Sequence, residues 1–344
     1  MSAAPPPTST DLLDLPKVDL YRRLGGALTS GASPLQGSQA PTAGVNPAHD
    51  TLAELPLPQT MESWERRMAQ NEARIASSMG LQTALRAVVE TAQADNIAHL
   101  ELAVSPAALA DAFGSLEAAF DALVDGLEAI HLDEGPSLGW LISLMAATPP
   151  DELARIVGWA RERKQAGILG LVVRMAAEDP AEADDLLVKT SAAELPIMVH
   201  LAPDITPEVT FERLSRLAPA RIAFGNQTLH SLGALAWIRQ SRPALLVCLS
   251  AERAAGMWAG PDVHPIIQMI QAGMQVNLAT WAPGLLGHSL TWEYQLAAES
   301  QGLTLEALRG LSLAGVQASF LPKVPKRDLE RKFEDTIFGF PTGA

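Results

Sequence analysis

Short aliphatic runs alternate with longer amphipathic stretches along almost the whole chain. Eight runs read as strands: Val18–Arg22, Ala98–Val104, Leu141–Met145, Ile168–Val173, Ile197–His200, Arg221–Gly225, Leu245–Leu249 and Val276–Thr280. Several are nearly continuous in Val, Ile and Leu, as strands covered on both faces must be. Helix-length segments lie between them: Gln82–Ala94, Pro106–Ile130, Glu152–Ala166, Ala181–Ala193, Pro207–Leu217, Leu229–Arg239 and Val263–Ala272. Ser289–Gln301 and Leu305–Phe320 follow the eighth strand, the second with Leu305, Leu308, Leu311 and Val316 on roughly one face. Strands alternating with helices predict a parallel sheet, and eight strands are the number that closes an α/β (β/α)8 TIM barrel. A doubly wound open sheet is the alternative that the alternation alone leaves open.

Residues 1–14 read as a tail, and Thr29–Asp50 as an insertion rich in Gly, Ser, Ala and Pro. An insertion of that length inside a barrel is expected to be either disordered or an active-site lid, mobile in the free protein. From Lys323 the chain mixes charge with Phe333, Ile337, Phe338 and Phe340, and is expected to dock on the outside of the barrel spanning 15–322.

Composition narrows the partners. Of 344 residues 48% are hydrophobic, enough for a sizeable core, and 25 basic against 39 acidic side chains leave a formal charge of −14. Phosphate neutralisation needs a basic stripe that this chain lacks, so nucleic acid is not expected as a partner. A negative surface disfavours anionic membranes, and no run of about 20 apolar residues is long enough to span one. Cys248 is the single cysteine, which fits a reducing compartment, and the Pro-rich start is not a secretory signal, so a cytoplasmic protein is expected. Oligomeric state is not readable.

One frame is specific. From Leu15 the chain runs Leu-Pro-Lys-Val-Asp-Leu-Tyr-Arg-Arg-Leu-Gly-Gly-Ala-Leu. This resembles the opening strand of the adenosine deaminase family, Leu-Pro-Lys-x-Glu-Leu-His-x-His-Leu-Asp-Gly-x-Leu. The block Val276–Leu290, with Trp292-Glu-Tyr-Gln-Leu-Ala-Ala-Glu299 after it, resembles that family's eighth strand and following helix. Glu101, Ser105-Pro106, Val199-His200, Arg221-Ile222, His264-Pro265 and Ala318-Ser-Phe320 fall in matching order from Leu15 to Leu321.

The resemblance implies a zinc barrel whose ligands are three imidazoles and a carboxylate at strand ends, a Glu that handles the proton and a His that orients water. Its ligand positions are here Tyr21, Arg23, His200 and Trp281; its proton-handling Glu is Pro203, its orienting His is Phe224, and its purine-contacting carboxylates are Gly25 and Ala282. A phenol and a guanidinium do not replace neutral imidazoles. The expectation is therefore an adenosine deaminase-like barrel with no metal and no cofactor.

The favoured reading is a metal-independent enzyme acting on a partly apolar small molecule with an anionic end. His200 and Asp204 are its candidate proton-transfer pair, because an imidazole beside a carboxylate works near neutral pH. Tyr21, Phe224 and Trp281 would wall the pocket, Arg23 and Arg174 would clamp the anion, and Ser250 and Glu252 would add polar contacts. The alternative is a catalytically inactive barrel that binds a ligand or partner, its old cavity plugged by those aromatics. Residual purine nucleoside deamination is the third reading.

Overall fold

Eight parallel strands stand in sequential order: β1 (Lys17–Arg23), β2 (Ile97–Val104), β3 (Ser137–Met145), β4 (Ile168–Met175), β5 (Ile197–Leu201), β6 (Arg221–Ala223), β7 (Ala244–Val247) and β8 (Gln275–Leu278). The computed structural model describes residues 6–28, 60–130, 135–176, 184–185, 187–188, 195–257 and 264–339. Closure from β8 back to β1 is made by backbone: Trp281 N–H donates to Tyr21 O at 2.8 Å and Arg23 N–H to Trp281 O at 2.8 Å. The Asp19 carboxylate reinforces the seam, accepting from the Thr280 hydroxyl at 2.6 Å and from Arg22 Nε at 2.9 Å. The fold is thus the expected (β/α)8 barrel.

The strand runs were continuous in aliphatic residues because both faces are covered, the inner by barrel contents and the outer by helices. Helices start where side chains cap them: Ser77, Ser115, Thr206, Ser231, Ser289 and Thr304 each accept from a backbone N–H of the first turn. Each such cap contributes about 1 kcal/mol.

The single helix expected over Pro106–Ile130 is two, Pro106–Phe113 and Leu116–Glu128, because Gly114 takes φ +84° and Ser115 caps a new start. Part of the segment read as a tail, Ser9–Asp14, is also helical. Thr8 and Asp11 form a capping box, and the buried Lys17 ammonium donates to the carbonyls of Leu12 and Leu15 at the other end. Lys323–Phe338 is a helix with Phe333 and Ile337 buried. Thr29–Asp50 and nearly all of Ala181–Ala193 lie outside the described residues.

The longest helix absent from the sequence expectations is Met61–Ala73, packed between the end of β1 and the Pro106–Phe113 helix. Met61, Trp64 and Met68 sit at helical spacing behind the Thr60 cap, but Glu65 and Glu72 share their face and disguise it. That helix builds half of the site.

Below the strand ends the barrel interior is closed by a buried ion pair. Arg221, first residue of β6, grips Glu101 of β2 with Nη1–Oε2 at 2.6 Å and Nη2–Oε1 at 2.9 Å. Arg221 Nε donates to Ala318 O at 2.7 Å, and the guanidinium lies 3.4 Å from the Phe320 ring centroid. Burial would raise the Glu101 carboxyl, but Arg221 and His99 outweigh it and hold the carboxyl down at about 2.

Candidate functional site: a filled barrel mouth and a neighbouring cleft

Tyr21, His200, Phe224 and Trp281 come from the ends of β1, β5, β6 and β8 and meet at the barrel mouth. His200 stacks on Phe224 with ring centroids 4.5 Å apart, and Phe224 meets Trp281 edge-on at 5.1 Å. Trp281 also touches His200 at 5.9 Å and Trp64 at 6.3 Å. All four strand-end residues are at most 1% exposed. The three aromatics therefore do not line an open pocket; they pack on one another and on the imidazole, because edge-on and offset aromatic contacts add to the burial of large apolar area.

Phe224 and Trp281 hold φ of +58° and +56°, a left-handed backbone that bulky residues rarely adopt. Strain of this kind persists only where packing over-determines it. The two positions are the ones at which the sequence resemblance placed an orienting His and a metal-binding carboxylate.

His200 Nδ1 lies 2.6 Å from the Tyr21 hydroxyl. Burial, then Arg174 and Arg23, push the imidazole well below its usual range, so it is neutral. Burial and the nearby Glu65 raise the Tyr21 phenol, which keeps its proton. With the phenol as donor, the ring proton sits on Nε2, which has no hydrogen-bond partner. Asp204 does not join this pair. It is exposed in the turn after β5, whereas His200 points into the closed interior; the nearest carboxylate is Glu65, its Oε1 4.0 Å from Nδ1.

Arg23 is not free to clamp an anion. Its guanidinium is bound by Glu65 at 3.0 Å and Glu72 at 3.2 Å and reaches Ser143 Oγ at 3.3 Å. Glu72 also accepts from the backbone N–H of Gly25 at 3.3 Å and of Ser105 at 3.1 Å, tying β1 and β2 to the Met61–Ala73 helix. Burial raises the Glu72 carboxyl, opposed by Arg23 and these amides. Gly25 is required there: a Cβ would lie 2.0 Å from Met68 O.

Arg174 differs. It stands beside His200 in the β4–β5 register, is half-buried, and its nearest partner is Met145 Sδ at 3.8 Å; Nε is buried without one. Arg174, Arg23, Glu65, Ser105 and Ser143 line a cleft of about 300 Å³ outside the aromatic cluster, with Leu144, Met145 and Ile156 supplying apolar wall. None of Tyr21, Phe224 and Trp281 lines it. Ser105 enters the sequence reading only within the family match Ser105-Pro106; Glu65, Glu72 and Ser143 are absent from it, and for the two glutamates the only available signal is the partly polar helical stripe.

Ser250 and Glu252 lie elsewhere, buried in the helical turn Leu249–Ala254 that follows β7, and neither lines the cleft. Glu252 accepts from Cys248 N–H at 3.0 Å and His264 Nε2 at 2.8 Å, while His264 Nδ1 accepts from Ile266 N–H at 3.0 Å. These bonds anchor the β7 loop. Ser250 N–H donates to Glu293, whose carboxyl is pushed up to about 8 by burial, with Glu252 and Asp19 adding to the shift. Burial likewise raises the Cys248 thiol, leaving it inert.

The adenosine deaminase family profile matches residues 35–336. The chain belongs to the adenosine deaminase family. Among curated relatives it is 28% identical over 233 residues to an aminodeoxyfutalosine deaminase of Streptomyces coelicolor, covering 65% of this chain and 59% of that one. It is 26% identical over 252 residues to an adenosine deaminase of Edwardsiella ictaluri, covering 70% and 73%. An adenosine deaminase of Vibrio parahaemolyticus is matched over only 43% of its length, so the chain spans less than two thirds of several of these relatives.

Solved structures share the fold at 18% identity. The N6-methyl-AMP deaminase of Arabidopsis thaliana superposes with a TM-score of 0.79 over 95% of this chain and 98% of its own. An amidohydrolase from Burkholderia ambifaria, described with bound Zn, gives 0.75 over 96% and 95%.

Proposed function

We propose that this adenosine deaminase-family barrel does not perform zinc-dependent deamination and serves as a small-molecule binding protein, its ligand taken in the cleft beside the filled mouth. The observation that carries the reading is the mutual packing of Tyr21, His200, Phe224 and Trp281 where a substrate and metal would need room.

The donor set does not fit zinc. One neutral imidazole remains; beside it stand a phenol that keeps its proton, a guanidinium held by two carboxylates, and an indole. Among the described residues no three His, Cys, Asp or Glu side chains converge as a metal site. Tetrahedral zinc sites use three or four such ligands.

A second reading, a metal-independent enzyme, is favoured by the partnerless Nε2 of His200, a proton site held ready in the interior. It requires the aromatic cluster to open, because a general acid or base must come within hydrogen-bond reach of its substrate.

The test is metal content and turnover together. Protein prepared without chelator is expected to hold far less than one equivalent of zinc, and to release neither ammonia from adenosine nor methylamine from N6-methyl-AMP. One zinc per chain, lost on His200→Ala and accompanied by turnover, would overturn the proposal.

A further inference from the structure

Two side chains of opposite charge that line the cleft each carry a buried polar atom with no hydrogen-bond partner among the described residues. One is Nε of Arg174; the other is Oε1 of Glu65, whose Oε2 is engaged by Arg23. Leaving either unsatisfied costs more than an ordinary hydrogen bond contributes, so each is a place where a ligand group would be held. The other cations of the lining are already neutralised, Arg23 by Glu65 and Glu72, and Arg66 by Glu62 at 2.6 Å on the exposed rim. Arg174 is thus the free cation of the described lining.

We infer that the cleft binds a small zwitterion, an α-amino acid with an apolar side chain, its carboxylate on Arg174, its ammonium on Glu65 Oε1 and its side chain against Leu144, Met145 and Ile156. This deepens the proposed function and rests on the cleft being the ligand site.

The geometry sets three requirements. A guanidinium binds a carboxylate through planar paired donors, and a lone carboxylate oxygen accepts an ammonium as a charge-assisted bond. The two groups are near one another, since Arg174 pairs with His200 across β4–β5 and Glu65 Oε1 is 4.0 Å from His200 Nδ1. A volume of about 300 Å³ lies at the small end of ligand sites and suits a molecule of amino-acid size. The wall that completes it is apolar, and burying a side chain there adds affinity in proportion to area.

The inference is tested by thermal shift and calorimetry with L-leucine, L-methionine and L-phenylalanine. 4-Methylpentanoate, which lacks the amine, isoamylamine, which lacks the carboxylate, and inorganic phosphate are the comparison probes. At least one amino acid is expected to raise Tm with concentration, as any ligand selective for the folded state must. Each truncated analogue of leucine is expected to bind about tenfold or more weaker, because one charge-assisted bond is lost.

Arg174→Met is expected to weaken the amino acids and 4-methylpentanoate while leaving isoamylamine unchanged; Glu65→Gln is expected to weaken the amino acids and isoamylamine while leaving 4-methylpentanoate unchanged. Among the described residues Arg174 has no ion-pair partner, so its replacement strands no buried carboxylate there. Equal affinity for leucine and 4-methylpentanoate, sensitive to Arg174→Met, would overturn the zwitterion inference and leave the cleft as an anion site. No binding by any probe, or amino-acid binding indifferent to Arg174→Met, would overturn both.

Discussion

Arg221→Met is expected to destabilise the barrel by about 3–5 kcal/mol, the cost of leaving a buried carboxylate without its cation. Glu101 and Arg221 are both fully buried, and Arg221 uses Nε, Nη1 and Nη2 on Glu101, Ala318 and Leu20. Glu101 accepts in addition from the Phe320 N–H at 2.6 Å, so one pair holds β2, β6 and the segment after the Leu305–Ala318 helix. The paired replacement Arg221→Met with Glu101→Leu is expected to regain part of the loss, because no charge is then stranded. Urea midpoints of the three proteins decide it. A loss below about 1 kcal/mol in the single variant would mean that water or another group solvates Glu101. The pH dependence has a fixed sign: the folded carboxyl, at about 2, lies below its ordinary 4.5. Its stabilisation is present above 4.5 and lost as pH falls from there toward 2.

The second large effect runs the other way. Glu293, packed in the Leu290–Gln301 helix and 1% exposed, has its carboxyl raised to about 8 from 4.5, first by burial. A raised folded value means that the folded chain holds the proton more tightly than the unfolded one. The stability this contributes is complete below 4.5 and declines as pH rises through 8, by up to about 1.4 kcal/mol per pH unit. Glu293→Gln keeps the shape, an acceptor for the Ser250 N–H and no charge to bury. The variant is expected to match the parent near pH 5 and to exceed it in urea midpoint at pH 8.5. Parallel stability profiles across that range would show that Glu293 is ionised in the folded state.

How much of this was readable before folding varies by element. Strand positions agreed to within a few residues because a doubly covered strand must be aliphatic along its whole length, a local property. The Gly114 break was missed because Gly is compatible with a helix interior and only its φ of +84° ends the helix. Met61–Ala73 was missed because its inward face carries Glu65 and Glu72, and a buried carboxylate is unremarkable only once its cation is known. His200 was paired with Asp204 on proximity in sequence, but the chain turns outward after β5 and exposes Asp204. The partner that the fold supplies is Tyr21, 179 residues away.

The sequence by itself determined the eightfold alternation, the barrel and the identities at the strand ends, since period, composition and order of motifs are properties of the chain alone. Only the tertiary structure decided what those strand-end residues do. Aromatic side chains at a barrel mouth are equally suited to walling a cavity and to filling it, and the choice depends on whether their rings reach one another across strands far apart in sequence. Here they do, from 21 to 281, so the mouth is closed. Likewise two arginines that look alike in sequence diverge in the fold: Arg23 lands against a helix that brings two carboxylates, Arg174 lands where none of the described residues brings one. Charge compensation is a long-range property, and it is what separates a structural guanidinium from one left for a ligand.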